Sequence, residues 1–296
     1  MAVTGANGAV GRAILRVASL RAAPVELVAA VRSERAAGEL TPVAGSARVV
    51  RVSYDDAASL RAAVAGAAAV IHLAGVLVER PGTTYEDANV ETTRRVADAA
   101  ERGGVRKLVL VGAVGADDRS PNRYWRTKAA AEMVVRGSGI PYTVLRVPIL
   151  LGAGTEAAAA LRRRLGRDVV PLLGGGRTLQ QPLAVDDLAR GALAACEPGV
   201  AADRTLDVVG PAPVTDREIV ERAARLSGRR VRIVPVPVGL VRLALAVGRR
   251  LGRHGLSPDA LEVLTTDTRV DPAPAVHALG LALTTLDAMI RESLRP

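Results

Sequence analysis

Near the start of the chain the run Thr4-Gly5-Ala6-Asn7-Gly8-Ala9-Val10-Gly11 places glycine at every third position, between an apolar stub, Ala2-Val3, and an amphipathic stretch from Val10 to Ser19. Each glycine has a use if the run turns a strand into a helix. The first gives the sharp turn its backbone freedom, the second leaves no side chain above the backbone, and the third lets the helix lie close to the sheet. The free N–H groups of the helix's first turn then face an anion such as a pyrophosphate. On this reading Thr4, Gly5, Asn7, Gly8, Ala9, Val10 and Gly11 contact the anion, with Arg12 beside them. The spacing differs from the commoner Gly-x-Gly-x-x-Gly. With 29 glycines in 296 residues, a chance glycine-rich turn is the competing explanation. Context favours the first reading. Val10, Ile14 and Val17 share a helix face, and a second strand, Glu26 to Val31, follows at βαβ distance. Ala2-Val3 is short for a first strand, so we expect a few residues before it.

Strand-length apolar runs recur at Arg48–Val52, Ala69–Leu73, Lys107–Val111, Tyr142–Val147 and Thr205–Val209, and helical patterns fall at Ala57–Ala65, Asp87–Arg102 and Tyr124–Arg136. This alternation predicts an α/β fold, a Rossmann-type doubly wound parallel sheet. After Leu150 the texture changes: glycines interrupt the pattern, Thr215-Asp-Arg-Glu218 reads as a capping box, and Pro235 and Pro237 break the chain. We therefore divide the chain into a dinucleotide-binding domain, residues 1–150, and a smaller helix-rich substrate-binding lobe, residues 151–296, from which one strand near 205–209 returns to the sheet.

The formal net charge of +10 raises the question of nucleic acid, but 38 of the 40 basic residues are arginines scattered through Ala- and Gly-rich sequence. There is one Trp, four Tyr and no Phe, so the stacking platforms of single-strand binders are missing. We expect a small-molecule ligand and no nucleic acid. The lone Cys196 forbids an intramolecular disulfide. No signal peptide is visible, and no apolar run reaches the roughly 20 residues a membrane span needs. We expect a cytoplasmic protein with no firm membrane association. The apolar, arginine-bearing stretch Val238 to Arg253 could lie on a membrane surface, but lobe packing with snorkelling arginines is the preferred reading. His72, His254 and His277 have no ligand spacing, so no metal site is expected. Asp186 and Asp187 read as caps of the helix that runs to Ala195.

Several of these residues resemble the short-chain dehydrogenase/reductase superfamily in its extended or atypical branch. Thr4 to Gly11 is similar to its cofactor turn, His72-Leu73-Ala74-Gly75 to its fourth-strand signature, and Tyr124-Trp-Arg-Thr-Lys128 to its Tyr-x-x-x-Lys pair. Asn89 stands where that family places a structural Asn. Gly210-Pro211 and the Pro235-Val-Pro237 break resemble the subgroup of the NAD(P)-binding accessory subunit of respiratory complex I and NmrA-like proteins. The resemblance implies NAD(P) contacts from Leu73, Ala74, Gly75, Gly112 and Lys128, an adenine contact from Asp55, and catalysis by Tyr124 with Lys128.

Cofactor choice rests on Arg32, where an acidic residue would favour NAD. A guanidinium can pair with a 2′-phosphate, so NADP is expected over NAD, with Arg12 as a second contact. Arg32 as an ordinary surface arginine is the alternative. Tyr124 and Lys128 lie four apart and share a helix face. A nearby ammonium would lower the phenol's pKa, and Lys is notable where only two of 40 basic residues are Lys. An ordinary surface pair is the alternative. The family's Ser or Thr is absent: Gly112 stands at its expected position in Leu110-Val-Gly-Ala113. An NADPH-dependent reductase of a small apolar carbonyl compound is the first expectation. A non-catalytic redox sensor or assembly protein is the second, and a sugar-nucleotide epimerase or dehydratase the third.

Overall fold

The computed structural model describes residues 1–23, 25–73, 75–250 and 256–295. At its centre are β1 (Ala2–Thr4), β2 (Val28–Val31), β3 (Arg48–Arg51), β4 (Ala69–His72), β5 (Lys107–Ala113), β6 (Tyr142–Val147) and a seventh strand, Arg204–Asp207. Their order is Arg204–Asp207, β6, β5, β4, β1, β2, β3, and every neighbouring pair is parallel. The chain crosses from β3 back past β1 to β4. In such sheets the point of reversal opens a crevice at the carboxyl ends of the strands. Short as it is, β1 sits at the centre, with Val3 opposite both Ala29 and Ile71.

Period-two alternation sends Val3, Ile71, Val109 and Leu145 to one face and Ala2, Val70, Leu108 and Val144 to the other. The first face is covered by α1 (Ala9–Ser19), α2 (Glu34–Leu40) and two helices from the second half of the chain. The second is covered by α3 (Ala57–Val64), α4 (Thr92–Arg102) and α5 (Arg123–Arg136). Their buried residues are mostly Ala, Val, Leu and Ile. Small side chains keep helix and sheet close, which is how a chain with five aromatics fills its core.

After β6 come α6 (Glu156–Leu165), α7 (Val185–Ala195), α8 (Asp216–Leu226), α9 (Val238–Arg250), α10 (Pro258–Thr265), α11 (Ala273–Leu279) and α12 (Leu286–Leu294). The second lobe has its own core, in which Leu161, Leu165, Ile219, Val220, Met289 and Ile290 from α6, α8 and α12 meet. Beside it, Val169–Leu173 pairs in parallel with Arg232–Val236. More of the second half returns to the sheet than the strand near 205–209. Leu188, Ala192 and Leu193 of α7, and Ala275 and Leu279 of α11, belong to the core of the first face.

Two local readings change and one stands. Ala184, not an Asp, occupies the N-cap of α7. Asp186 instead pairs with Arg16 of α1, and the buried Asp187 accepts from Thr284 N and Oγ1, both at 2.8 Å. The Thr215 cap stands, its side chain accepting from Glu218 N at 3.1 Å. Finally, α9 does not bury its apolar face in the lobe: Leu240 and Leu243 are each 62% exposed. The last part of the expected helix, 251–253, lies outside the described residues. Among the described residues, no helix is long and apolar enough to cross a membrane.

Candidate functional site

The glycine turn links β1 to α1 at the head of the crevice. Gly5 takes φ +75° and its N–H bonds Ala30 O at 3.1 Å, with Ala6 N beside it on the same oxygen at 3.2 Å, so the turn is tied to β2. Gly8 is the N-cap of α1 and supplies no capping side chain, which leaves the first-turn N–H groups open to an anion. A Cβ at Gly11 would stand 2.3 Å from Ala6 O, so α1 packs against the turn at a distance only glycine permits. Asn7 and Gly8 are exposed, Ala9 and Val10 half-buried. The geometry fits a pyrophosphate: an open helix N-terminus beneath a backbone with no side chain over it.

Thr4 plays a different part from the contact expected. It is fully buried, and its Oγ1 lies 2.6 Å from His72 Nδ1, tying β1 to β4. Burial, with the Lys128 charge nearby, pushes His72 down to about 3, so the ring is neutral at physiological pH. Arg12 turns back on the motif, its Nε donating to Asn7 O at 3.1 Å.

At the ends of β2 and β3, Arg32 lies exposed in a groove of about 380 Å³ shared with Ser53, Tyr54, Asp55, Thr83 and Asp87. Asp55 is held there by Arg95 of α4. This groove and the glycine turn lie at the carboxyl ends of neighbouring strands, as the two halves of a dinucleotide require.

Beyond β4, Leu73 donates its N–H to Thr4 O at 3.2 Å and its side chain faces Gly5. Ala74 lies outside the described residues. Gly75, at φ +152°, stands where a Cβ would be 3.0 Å from both Asn89 Oδ1 and Lys128 Nζ. Asn89 is buried in a π-helical turn, Glu86–Glu91, that leads into α4. Its Oδ1 accepts from Val76 N at 3.1 Å and its Nδ2 donates to Thr127 Oγ1 at 3.0 Å, fixing the strand-end loop to α5. Wide turns of this kind recur at functional sites.

Tyr124 and Lys128 follow each other on α5, capped by Asn122, whose Oδ1 accepts from Tyr124 N at 3.0 Å. Lys128 is buried and donates to Val111 O at 3.1 Å. Burial lowers it to about 8, against a smaller upward pull from Glu132. Tyr124 is half-buried and lines a cleft of about 190 Å³ with Ala113, Trp125, Val147, Gln180, Leu264 and Asp267. Its phenol is pushed up, not down, by burial first and then by Tyr85, whose ring meets it edge-on at 5.8 Å. The lowering expected from Lys128 does not occur: both causes acting on the phenol raise it, and the Lys128 ammonium is turned to Val111 O.

Gly112 requires a correction. A Cβ there would meet Glu132 Oε1 at 3.1 Å and Val144 Cγ1 at 3.3 Å, inside the sheet and away from the crevice. Glu132 is the fully buried partner of Arg146, whose Nε and guanidinium N–H donate to its two oxygens at 2.8 Å. Strand alternation turns the next residue to the other face, and Ala113 is the one that lines the cleft with Tyr124. The absent hydroxyl is therefore absent at Ala113. Neither Ser120 nor Thr83 lines that cleft: Ser120 Oγ accepts from Asn122 N, and Thr83 belongs to the Arg32 groove.

Sequence reasoning did not single out Tyr85, Gln180 or Asp267. Tyr85 left one available signal. In a chain with five aromatics, three of them, Tyr85, Tyr124 and Trp125, gather at this cleft. No His/Cys/Asp/Glu cluster suited to a metal occurs among the described residues.

A doubly wound parallel sheet with an open phosphate turn at its reversal point defines an NAD(P)-binding Rossmann protein of the short-chain dehydrogenase/reductase class. The chain belongs to the NAD(P)H-binding family, whose model matches residues 5–176. It is 30% identical over 285 residues to the mitochondrial NADH dehydrogenase [ubiquinone] 1 alpha subcomplex subunit 9 of Arabidopsis thaliana, covering 90% of this chain and 70% of that one. In fold it is similar to an NADPH-dependent quinone oxidoreductase of Escherichia coli complexed with NADPH, at a TM-score of 0.74 and 21% identity, over 98% of both chains. It is also similar to a UDP-glucuronic acid 4-epimerase of Bacillus cereus in complex with UDP-glucuronic acid and NAD, at a TM-score of 0.77 and 16% identity, over 99% of this chain and 97% of that one. At these identities the two structures speak for the fold alone.

Proposed function

We propose that this chain is an NADPH-dependent reductase of a small apolar acceptor bearing a carbonyl or quinone oxygen, acting in the cytoplasm. The observation that carries the reading is the arrangement on α5. Tyr124 opens into a largely apolar cleft while Lys128, one turn on, holds Val111 O and lies beside Gly75 just past the end of β4.

The glycine turn would hold the pyrophosphate, Asp55 would approach the adenine, and Arg32 would pair with the 2′-phosphate. Leu73, Gly75 and Lys128 would flank the other end. Bound there, NADPH supplies the hydride. This chain's part is to exclude water and move a proton. Tyr124, kept protonated by burial, gives its hydroxyl proton to the oxygen of the reduced acceptor. For a carbonyl acceptor the oxygen left by hydride transfer is an alkoxide, a stronger base than a phenolate, so the raised phenol pKa still leaves that transfer downhill. A quinone leaves the weaker hydroquinone anion, which takes its proton from water, so Tyr124 acts on carbonyl acceptors. Lys128, charged below pH about 8, stabilises the phenolate left behind.

A preference for NADP over NAD follows from Arg32. Charge-assisted hydrogen bonds contribute about 1.5–3 kcal/mol, so Arg32→Ala should weaken NADPH binding roughly ten-fold or more and leave NADH binding nearly unchanged. Isothermal titration of both cofactors tests this. An unchanged NADPH/NADH ratio removes the assignment. One observation favours a second reading, a cofactor-binding sensor or assembly subunit: no hydroxyl stands beside Tyr124 at the end of β5, where Ala113 lies.

A further inference from the structure

Among the described residues, Leu20, Val43 and Met133 are large apolar side chains exposed singly, while five others fall on α9 and the strand pair that leads into it. Leu240, Leu243 and Val247, the first two 62% exposed and the third 49%, lie at i, i+3 and i+7 of α9 and share one face with the exposed Ala244. Two more, Val234 at 36% and Val169 at 49%, lie on the adjoining parallel pair Val169–Leu173 and Arg232–Val236. The opposite line of α9, Val238, Val241 and Leu245, is half-buried, and α9 rests on α10. Among the described residues, none covers the outward face of α9.

The charge along this segment of the sequence is one-sided, with Asp168 the exposed acid beside Val169 and Asp259 just past its end. From Leu226 to Pro258 the sequence contains seven arginines and neither Asp nor Glu, so this stretch carries +7 of the chain's formal +10. Elsewhere both signs are interspersed. Of the seven, Arg229, Arg230, Arg232 and Arg242 are exposed, Arg229 with its guanidinium on Leu165 O. The combination selects among occupants. A second copy in a two-fold contact would set this charge against itself. Nucleic acid would call for stacking aromatics, and the stretch has none. An anionic lipid surface satisfies both halves: leucines and valines enter the headgroup boundary and arginines meet the phosphates.

We propose that α9, with the strand pair beside it, is a peripheral docking surface for anionic phospholipid. The placement bears on the cleft too, because α10, on which α9 rests, supplies Val263 and Leu264 to its wall. The docking surface therefore adjoins the cleft in which Tyr124 lies, though the lipid proposal does not depend on catalysis.

The test is co-sedimentation of the full chain with vesicles of phosphatidylcholine alone or mixed with phosphatidylglycerol. We expect at least about ten-fold more bound protein on the mixed vesicles, falling as salt is raised. The triple variant Leu240→Ser, Leu243→Ser, Val247→Ser should lose this binding while keeping the parent's circular dichroism and NADPH affinity. Should that variant fail to fold, Arg230→Gln with Arg232→Gln is the second probe, expected to lower binding to the mixed vesicles severalfold. The proposal is overturned if the chain binds both vesicle types equally or neither. It is also overturned if both variants fold and bind as the parent does, or if light scattering shows a dimer that the triple variant dissociates.

Discussion

A methyl group added at Gly11 would stand 2.3 Å from a backbone oxygen, and neither atom can swing away as a side chain could. Gly11→Ala should therefore push α1 off the turn. Overpacking of this kind costs about 1–3 kcal/mol, so we expect a lower melting temperature and at least a ten-fold weaker NADPH affinity, read by thermal denaturation and titration. The end of β5 supports a sharper comparison. Ala113 lines the cleft with Tyr124, while the missing Cβ of Gly112 points at Glu132. Ala113→Ser should raise turnover by supplying a donor to the developing oxyanion. Gly112→Ser should lower stability by crowding the Glu132–Arg146 pair and leave turnover no higher. Steady-state rates and denaturation midpoints of the two variants separate the two positions. The Gly112 expectation failed for a simple reason. A family position can be counted along a strand, but a shift of one residue reverses the face, and only the neighbours show which face is which.

At the scale of elements, α5 carries the two residues on which the chemistry depends, and Asn122 fixes where it starts. Its Oδ1 caps Tyr124 N and Trp125 N, while its Nδ2 donates to Asp259 O and Glu262 Oε2 at 3.0 and 2.9 Å. One side chain thus sets the first turn of α5 and ties it to α10. Losing an N-cap costs about 1 kcal/mol, up to about 2. Asn122→Ala should cost at least that in chemical denaturation and should also raise KM, because α10 forms part of the cleft wall. The strands and helices of the first half were legible because burial on both faces writes β2, β4, β5 and most of β6 as short apolar runs, the edge strand β3 keeps two central valines, and α1 and α4 carry amphipathic stripes. The cofactor turn and the Tyr124–Lys128 spacing were legible for a similar reason, since both lie within single local elements. What was hidden depends on distant partners. Asp187 looks like a cap until Thr284 is seen to bond it, and α9 looks like packing until its leucines are found exposed.

At the scale of the whole molecule, the sheet's reversal point, the Arg32 groove and the Tyr124 cleft follow one another along the carboxyl ends of the strands, and segments of the second half both complete the sheet and wall the cleft. That arrangement makes binding and chemistry separable. The turn and Arg32 hold a cofactor whether or not Tyr124 acts. The central claim, that the bound nicotinamide is used, is tested most directly by NADPH oxidation with a panel of apolar carbonyl and quinone acceptors, measured for the parent chain and for Tyr124→Phe. Positioned acid–base groups contribute typically about 10²–10⁴-fold. We predict turnover with at least one acceptor, a loss of about 100-fold or more in kcat on carbonyl acceptors for Tyr124→Phe, and an NADPH affinity that stays the same in both. NADPH binding without turnover on any acceptor, or a Tyr124→Phe chain as active as its parent, would contradict the account.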